Sequence, residues 1–174
     1  GCFNKAGDLY FTDPPCGLPK NLKDPAKKLA FQGVFRLGKS GKVTLLTDKI
    51  KYPNGIAFSP DETRLYVADS TSGLWMVYEV ADDGTLGDGE VLLDASSVDE
   101  SGAPDGLKVD ERGNLWATGP GGVWVIGPDG QHLGTIKPTE VPANVAWGDV
   151  DGRTLYMTAR TGLYRIRVNV AGDR

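Results

Sequence analysis

Short apolar runs alternate along the chain with clusters of Gly, Pro, Asn and Asp, and hardly any stretch carries the 3.6-residue spacing of an amphipathic helix. One run recurs. Leu65-Tyr66-Val67-Ala68-Asp69, Leu115-Trp116-Ala117-Thr118-Gly119 and Leu155-Tyr156-Met157-Thr158-Ala159 are versions of one strand, and Leu9-Tyr10-Phe11-Thr12-Asp13 is a fourth. Their leading Leu residues stand 56, 50 and 40 positions apart. A period of roughly 40–50 residues holding four short strands is that of a β-propeller blade. The pattern therefore predicts an all-β chain, a β-propeller of about 3.5 blades.

Lettering strands A to D outward from the axis, the second repeat reads 55–59, 64–69, 74–80 and 89–93. The third reads 106–110, 114–118, 123–127 and 132–136, and the fourth 144–148, 154–158 and 163–168. The first reads 8–12, 34–37 and 42–47, with a remnant of strand A at Cys2 and Phe3. The expected organisation is one partial propeller over 1–174: remnants over 1–50, full blades over 51–97 and 98–140, and a last blade over 141–170.

Antiparallel order then sorts the loops. The tight A–B and C–D turns, such as Pro60-Asp61 and Pro128-Asp129-Gly130, fall at one end. The long loops 14–31, 94–104 and 137–142 fall at the other, with three polar residues that open strand A: Asn54, Asp105 and Asn144. These openers precede their Leu by 11, 10 and 11 residues. Function tends to live on irregular loops held over a rigid scaffold.

Composition narrows the function classes. The 174 residues suffice for one domain with a sizeable core. A net charge of −4 without a basic stripe argues against nucleic acid. No apolar run approaches the roughly 18 residues of a membrane span. No secretory signal is visible, so a cytoplasmic setting is expected; a periplasmic one stays open because the chain begins at Gly1 rather than Met. Cys2 and Cys16 are either paired or free, with free thiols favoured because cytosolic disulfides are rare. The single histidine, His132, reads as a surface turn residue, which removes the base on which a Ser-His or Cys-His nucleophile would depend.

Candidate chemistry gathers at the loop end. Asn54 offers an amide oxygen and Asp105 a carboxylate, donors that suit a hard divalent cation such as Ca²⁺. The same residues also serve as turn formers that bond their own backbone. Asp13 and Asp69 end equivalent B strands; each either orients a metal ligand from behind or ties down the B–C loop through backbone N–H groups. Asn144 occupies the opener position of the last repeat. The basic segment 19–28 is either a lid over a polar ligand or a solvated charge run. Trp75, Trp116, Trp124 and Trp147 lie in strands and read as packing between blades.

Several stretches resemble the SMP-30/gluconolactonase family of regucalcin-like lactonases: 8–18, Pro53-Asn54-Gly55-Ile56-Ala57-Phe58-Ser59-Pro60-Asp61, Pro104-Asp105-Gly106-Leu107-Lys108-Val109-Asp110, Gly119-Pro120-Gly121-Gly122-Val123-Trp124 and Leu155-Tyr156-Met157-Thr158-Ala159-Arg160. The resemblance implies a six-bladed propeller with one divalent metal at the top of its channel and a small sugar lactone, such as glucono-1,5-lactone, as substrate. It implies Asn54 as a metal ligand, and Asp105 as a second ligand and general base. Ca²⁺ is the first expectation for the ion, with Zn²⁺, Mg²⁺ and Mn²⁺ open. Asp13, Asp69 and Asn144 are candidates for substrate contacts or for support behind the ligands. Tyr is common in the family where Cys16 stands, so Cys16 is not expected to be catalytic. The family's metal-binding Glu belongs to a blade that precedes this sequence, and a further family Asn would fall just before Gly1. The expectation is a C-terminal portion of a longer lactonase, which alone self-associates or needs its N-terminal blades. Two alternatives remain: an organophosphate or ester hydrolase on the same site, and a non-catalytic binding module.

Overall fold

In a computed structural model, which describes residues 1–173, the chain forms four antiparallel sheets in sequence order. The first holds β1 (Cys2–Phe3), β2 (Leu9–Thr12), β3 (Val34–Leu37) and β4 (Val43–Thr47). The second holds β5 (Pro53–Phe58), β6 (Arg64–Asp69), β7 (Leu74–Glu79) and β8 (Glu90–Asp94). The third holds β9 (Leu107–Val109), β10 (Leu115–Gly119), β11 (Gly122–Ile126) and β12 (His132–Ile136). The fourth has β13 (Pro142–Gly148), β14 (Thr154–Ala159) and β15 (Leu163–Arg167). Each strand is a short β-branched or aromatic run that packs well on a pleated surface. Each tight turn closes on an Asp or Gly.

The innermost strands β1, β5, β9 and β13 approach one another in order, which places the sheets radially as propeller blades. Three apolar cores fill the spaces between neighbouring sheets. Tyr10, Val34, Ile56, Leu65 and Tyr78 form the first. Tyr66, Trp75, Leu107, Leu115 and Trp124 form the second. Trp116, Val123, Val145, Leu155 and Met157 form the third. The repeated Leu65, Leu115 and Leu155 are at most 1% exposed, and burying each such side chain stabilises the fold by about 2 kcal/mol. Trp75 meets Trp124 across one interface and Trp116 meets Trp147 across the next, each with ring centroids 5.2 Å apart.

Three features depart from the sequence reading. The first sheet has four strands where three and a remnant were expected, because the two-residue remnant Cys2–Phe3 pairs with Tyr10 and Leu9 as β1. His132 is exposed, as expected, and is the first residue of β12, the expected strand 132–136, rather than part of the turn before it; its ring stacks on Trp124 with centroids 4.0 Å apart. After β15 the chain turns inward beneath the last sheet. There the Glu111 N–H donates to the Ala171 carbonyl (2.9 Å) and the Asp173 N–H to the Val109 carbonyl (3.0 Å). Cys2 and Cys16 are both free thiols, and burial pushes the Cys2 thiol up to about 11. Among the described residues no helix is long and apolar enough to cross a membrane.

Candidate active site

Strand starts converge where the loops cluster, and local irregularities aim their side chains. Pairing between β5 and β6 shifts register between Pro53 and Ile56, so Asn54 and Gly55 occupy a bulge. A second shift falls between Pro142 and Asn144. Bulges of this kind redirect a side chain that regular pleating would send elsewhere. The strand starts are then tied to one another: the Gly55 N–H donates to the Asp105 carbonyl (3.1 Å), and the Gly106 N–H to the Ala143 carbonyl (3.0 Å). Only glycine permits this approach. A Cβ on Gly55 would lie 2.0 Å from the Asp105 carbonyl oxygen, and one on Gly106 would lie 2.2 Å from Asn144 Oδ1.

Within that ring Asn54 and Asp105 are neighbours. Asn54 Nδ2 donates to Ser70 Oγ (3.1 Å), and Ser70 Oγ donates in turn to the Pro104 carbonyl (2.6 Å), one residue from Asp105. Burial pushes the Asp105 carboxyl above its ordinary range, while the Asn54 amide favours the ionised form and opposes the shift. Both side chains line a depression of about 500 Å³ together with Tyr52, Ser70, Ala143 and Arg160. The Tyr52 hydroxyl donates to Asn21 Oδ1 (3.0 Å), which docks the loop between β2 and β3 against the rim of the depression. That loop carries two 3-10 turns, Pro15–Gly17 and Asn21–Lys23. Burial, Cys16 and Asp105 together push the Tyr52 hydroxyl up.

The other sequence candidates are placed differently. Asp69 is buried and accepts from the backbone N–H groups of Tyr52 (3.1 Å), Thr71 (3.2 Å), Lys51 (3.3 Å) and Ser72 (3.3 Å). It ties its own loop to the lead-in of β5, and so sets Tyr52 from behind. Asn144 Oδ1 accepts from the Val145 N–H (2.9 Å) and lies against Gly106. Asp13 is exposed and lines a separate cavity of about 370 Å³ with Pro14, Lys27 and Lys28.

Residues that the sequence reading did not single out complete the site. Thr12 Oγ1 donates to the Asn54 carbonyl (2.6 Å), Thr118 Oγ1 to the Ala143 carbonyl (3.4 Å) and Thr158 Oγ1 to the Asn144 carbonyl (3.4 Å). The signal was present, since each Thr stands three residues after the repeated Leu. Ser70 and Tyr52 gave no such signal. Among the described residues, no group of three or more His, Cys, Asp or Glu side chains lies close enough together to hold a metal. The two candidate ligands that line one depression are Asn54 and Asp105, with the Asn54 amide N–H side engaged by Ser70.

Comparison with known proteins identifies the family and the fold. A family model described as the SMP-30/Gluconolactonase/LRE-like region matches residues 1–161. The chain is 37% identical over 179 residues to a gluconolactonase of Zymomonas mobilis subsp. mobilis, an alignment covering 98% of this chain and 50% of that protein. A solved gluconolactonase from Xanthomonas campestris superposes with a TM-score of 0.82 at 34% identity, over 95% of this chain and 55% of that one. Regucalcin from Agrobacterium tumefaciens, a calcium-binding protein, shares the fold with a TM-score of 0.78 at 23% identity, over 98% of this chain and 60% of that one. The chain spans about half the length of the relatives it matches. With its blades, its ring of strand starts and this match over most of its length, the chain belongs to the SMP-30/gluconolactonase/LRE-like family.

Proposed function

We propose that the protein hydrolyses sugar lactones, with Asn54 and Asp105 as oxygen ligands of a divalent cation, calcium first among those such ligands suit. The observation that carries this reading is the placement of Asp105. Its carboxyl is desolvated beside the Asn54 amide, in a depression where strand starts from three sheets meet. Membership of a family whose matched relatives include gluconolactonases supports the substrate class.

The residues present fit such a cation by donor type, since an amide oxygen and a carboxylate are hard ligands. Calcium takes roughly six to eight oxygens, so water, substrate or other residues of the full-length protein supply the rest. A divalent cation held by Asn54 and Asp105 would supply Lewis-acid polarisation of the lactone carbonyl. Asp105 takes the proton of the attacking water. The acyl C–O bond of the ring then breaks, and the proton held by Asp105 passes to the ring oxygen, which leaves as an alcohol and restores the Asp105 carboxylate. Ser70 holds the Asn54 amide, and Tyr52 walls the depression on the side of the basic loop.

Replacing Asp105 with Ala in the full-length protein removes a charged ligand and the proton acceptor together. Its kcat/KM for glucono-1,5-lactone is expected to fall by at least about 100-fold with metal in excess. Near-normal turnover would place the base elsewhere.

A further inference from the structure

The depression over Asn54 and Asp105 is lined by one cationic side chain, Arg160, which has no part in the hydrolysis described above. Arg160 follows β14 directly and lines the depression from the fourth sheet, whereas Asn54 lines it from the second. Three arginines are held in place, Arg36 by Asp8, Arg64 by the Pro128 carbonyl and Arg167 by Asp151, but none of these lines the depression. Among the described residues no ion pair or hydrogen bond engages the Arg160 guanidinium, which is exposed at the mouth of the site. In particular it forms no ion pair with Asp105. On the basic loop, Lys20 and Lys23 flank Asn21, the residue that docks on Tyr52, and both are exposed. Of the residues that line the depression Arg160 carries the positive charge, and just beyond it the Glu140 carboxylate accepts from the Thr161 and Gly162 N–H groups (3.0 Å each).

A guanidinium presents a rigid planar fork of donors that matches carboxylate, sulfonate and phosphate oxygens two at a time. Placed in a concave site and left unpaired, it favours a ligand bearing such a group. We propose that the site takes lactones whose sugar carries an anionic substituent remote from the lactone carbonyl, with Arg160 as the residue that determines this specificity. The proposal rests on the lactonase reading above and adds the charge of the substrate to it.

The test uses the full-length protein with its metal. The kcat/KM for glucono-1,5-lactone is compared with those for the same ring bearing a phosphate, a sulfonate or a carboxylate on its exocyclic carbon. The wild type is expected to favour at least one anionic lactone, and the favoured arm identifies the anion. In Arg160→Gln the ratio of anionic to neutral kcat/KM should fall by about 10-fold, the size of a charge-assisted contact. Arg160→Lys should keep part of the preference, since it retains the charge without the fork. Added salt should shrink the wild-type ratio. An unchanged ratio in Arg160→Gln, or no anionic preference in the wild type, overturns the proposal.

Calorimetric binding of glucose 6-phosphate, glucuronate and glucose gives an equilibrium readout that needs no turnover. If no lactone is hydrolysed yet the anionic sugars bind more tightly and Arg160→Gln abolishes the difference, the lactonase reading fails and the anion site stands. If lactones are hydrolysed without any charge preference, the lactonase reading stands and the anion site fails.

Discussion

Asp110 is 0% exposed, and its carboxylate accepts from the backbone N–H groups of Arg112 and Asn114, from Asn114 Nδ2 and from Trp116 Nε1, each at 2.9 Å. One side chain thus closes the turn after β9 and anchors an indole in the core between the third and fourth sheets. Truncation would strand several buried donors at once, so Asp110→Ala is expected to destabilise the protein by about 3 kcal/mol in denaturant unfolding. A loss below about 1 kcal/mol would mean that water replaces the carboxylate. At this scale the sequence distinguished residues by recurrence. Asn54 and Asp105 stood out because openers repeat at a fixed distance from a Leu. Asp110 did not, because an Asp before a tight turn looks the same whether it faces solvent or an indole. Ser70 is a single residue of a turn-rich loop, and its role exists only once β6 brings it beside Asn54.

The elements are closed by acidic turns whose carboxylates are poised by their partners. Ser59 Oγ (2.6 Å) and Thr63 hold Asp61 down to about 2, against 3.8 for the free group. The Arg167 guanidinium and the Arg153 N–H hold Asp151 down to about 2 likewise. Both shifts are depressions, so the stability they contribute is complete above the unfolded value and is lost as the pH falls through the folded one. The unfolding midpoint is therefore expected to be flat near neutrality and to fall between about pH 4 and about pH 2. A midpoint that holds steady through that window would show that these bonds survive protonation. Strand positions were nearly all legible, since apolar runs bounded by Gly, Pro and Asp mark them directly. The register shifts at Pro53–Ile56 and Pro142–Asn144 were not. A bulge depends on how two strands align, and neither strand carries that alignment alone.

The molecule consists of four radial sheets with three cores between them. Its outer surfaces are less finished. β15 is an edge strand with Leu163 69% and Ile166 37% exposed, and Phe3 on the first sheet is 69% exposed. Unpaired edges and uncovered apolar faces favour association between repeat units. The 174-residue chain produced on its own is expected to sediment as oligomers or aggregate at micromolar concentration in analytical ultracentrifugation. A stable monomer would show that these surfaces are adequately solvated. The segment after β15 was outside the reach of the sequence reading at this scale. Its residues carry no strand pattern, and they pair with β9 only because the fold brings Val109 and Glu111 beneath the last sheet.

The sequence by itself determined the fold class, the order of strands and which loops share an end, because period-2 alternation and turn residues are local signals repeated four times. It also named Asn54 and Asp105, since repetition places equivalent residues at equivalent points around an axis. The tertiary structure decided which of the five candidate side chains meet. Asn54 and Asp105 share one depression, Asp69 sits behind Tyr52, Asn144 bonds its own neighbour and Asp13 lines another cavity. It alone placed Tyr52, Ser70 and Arg160 on that depression. These contacts join residues far apart in sequence, and burial, register and hydrogen bonding between blades set them, none of which a single strand encodes.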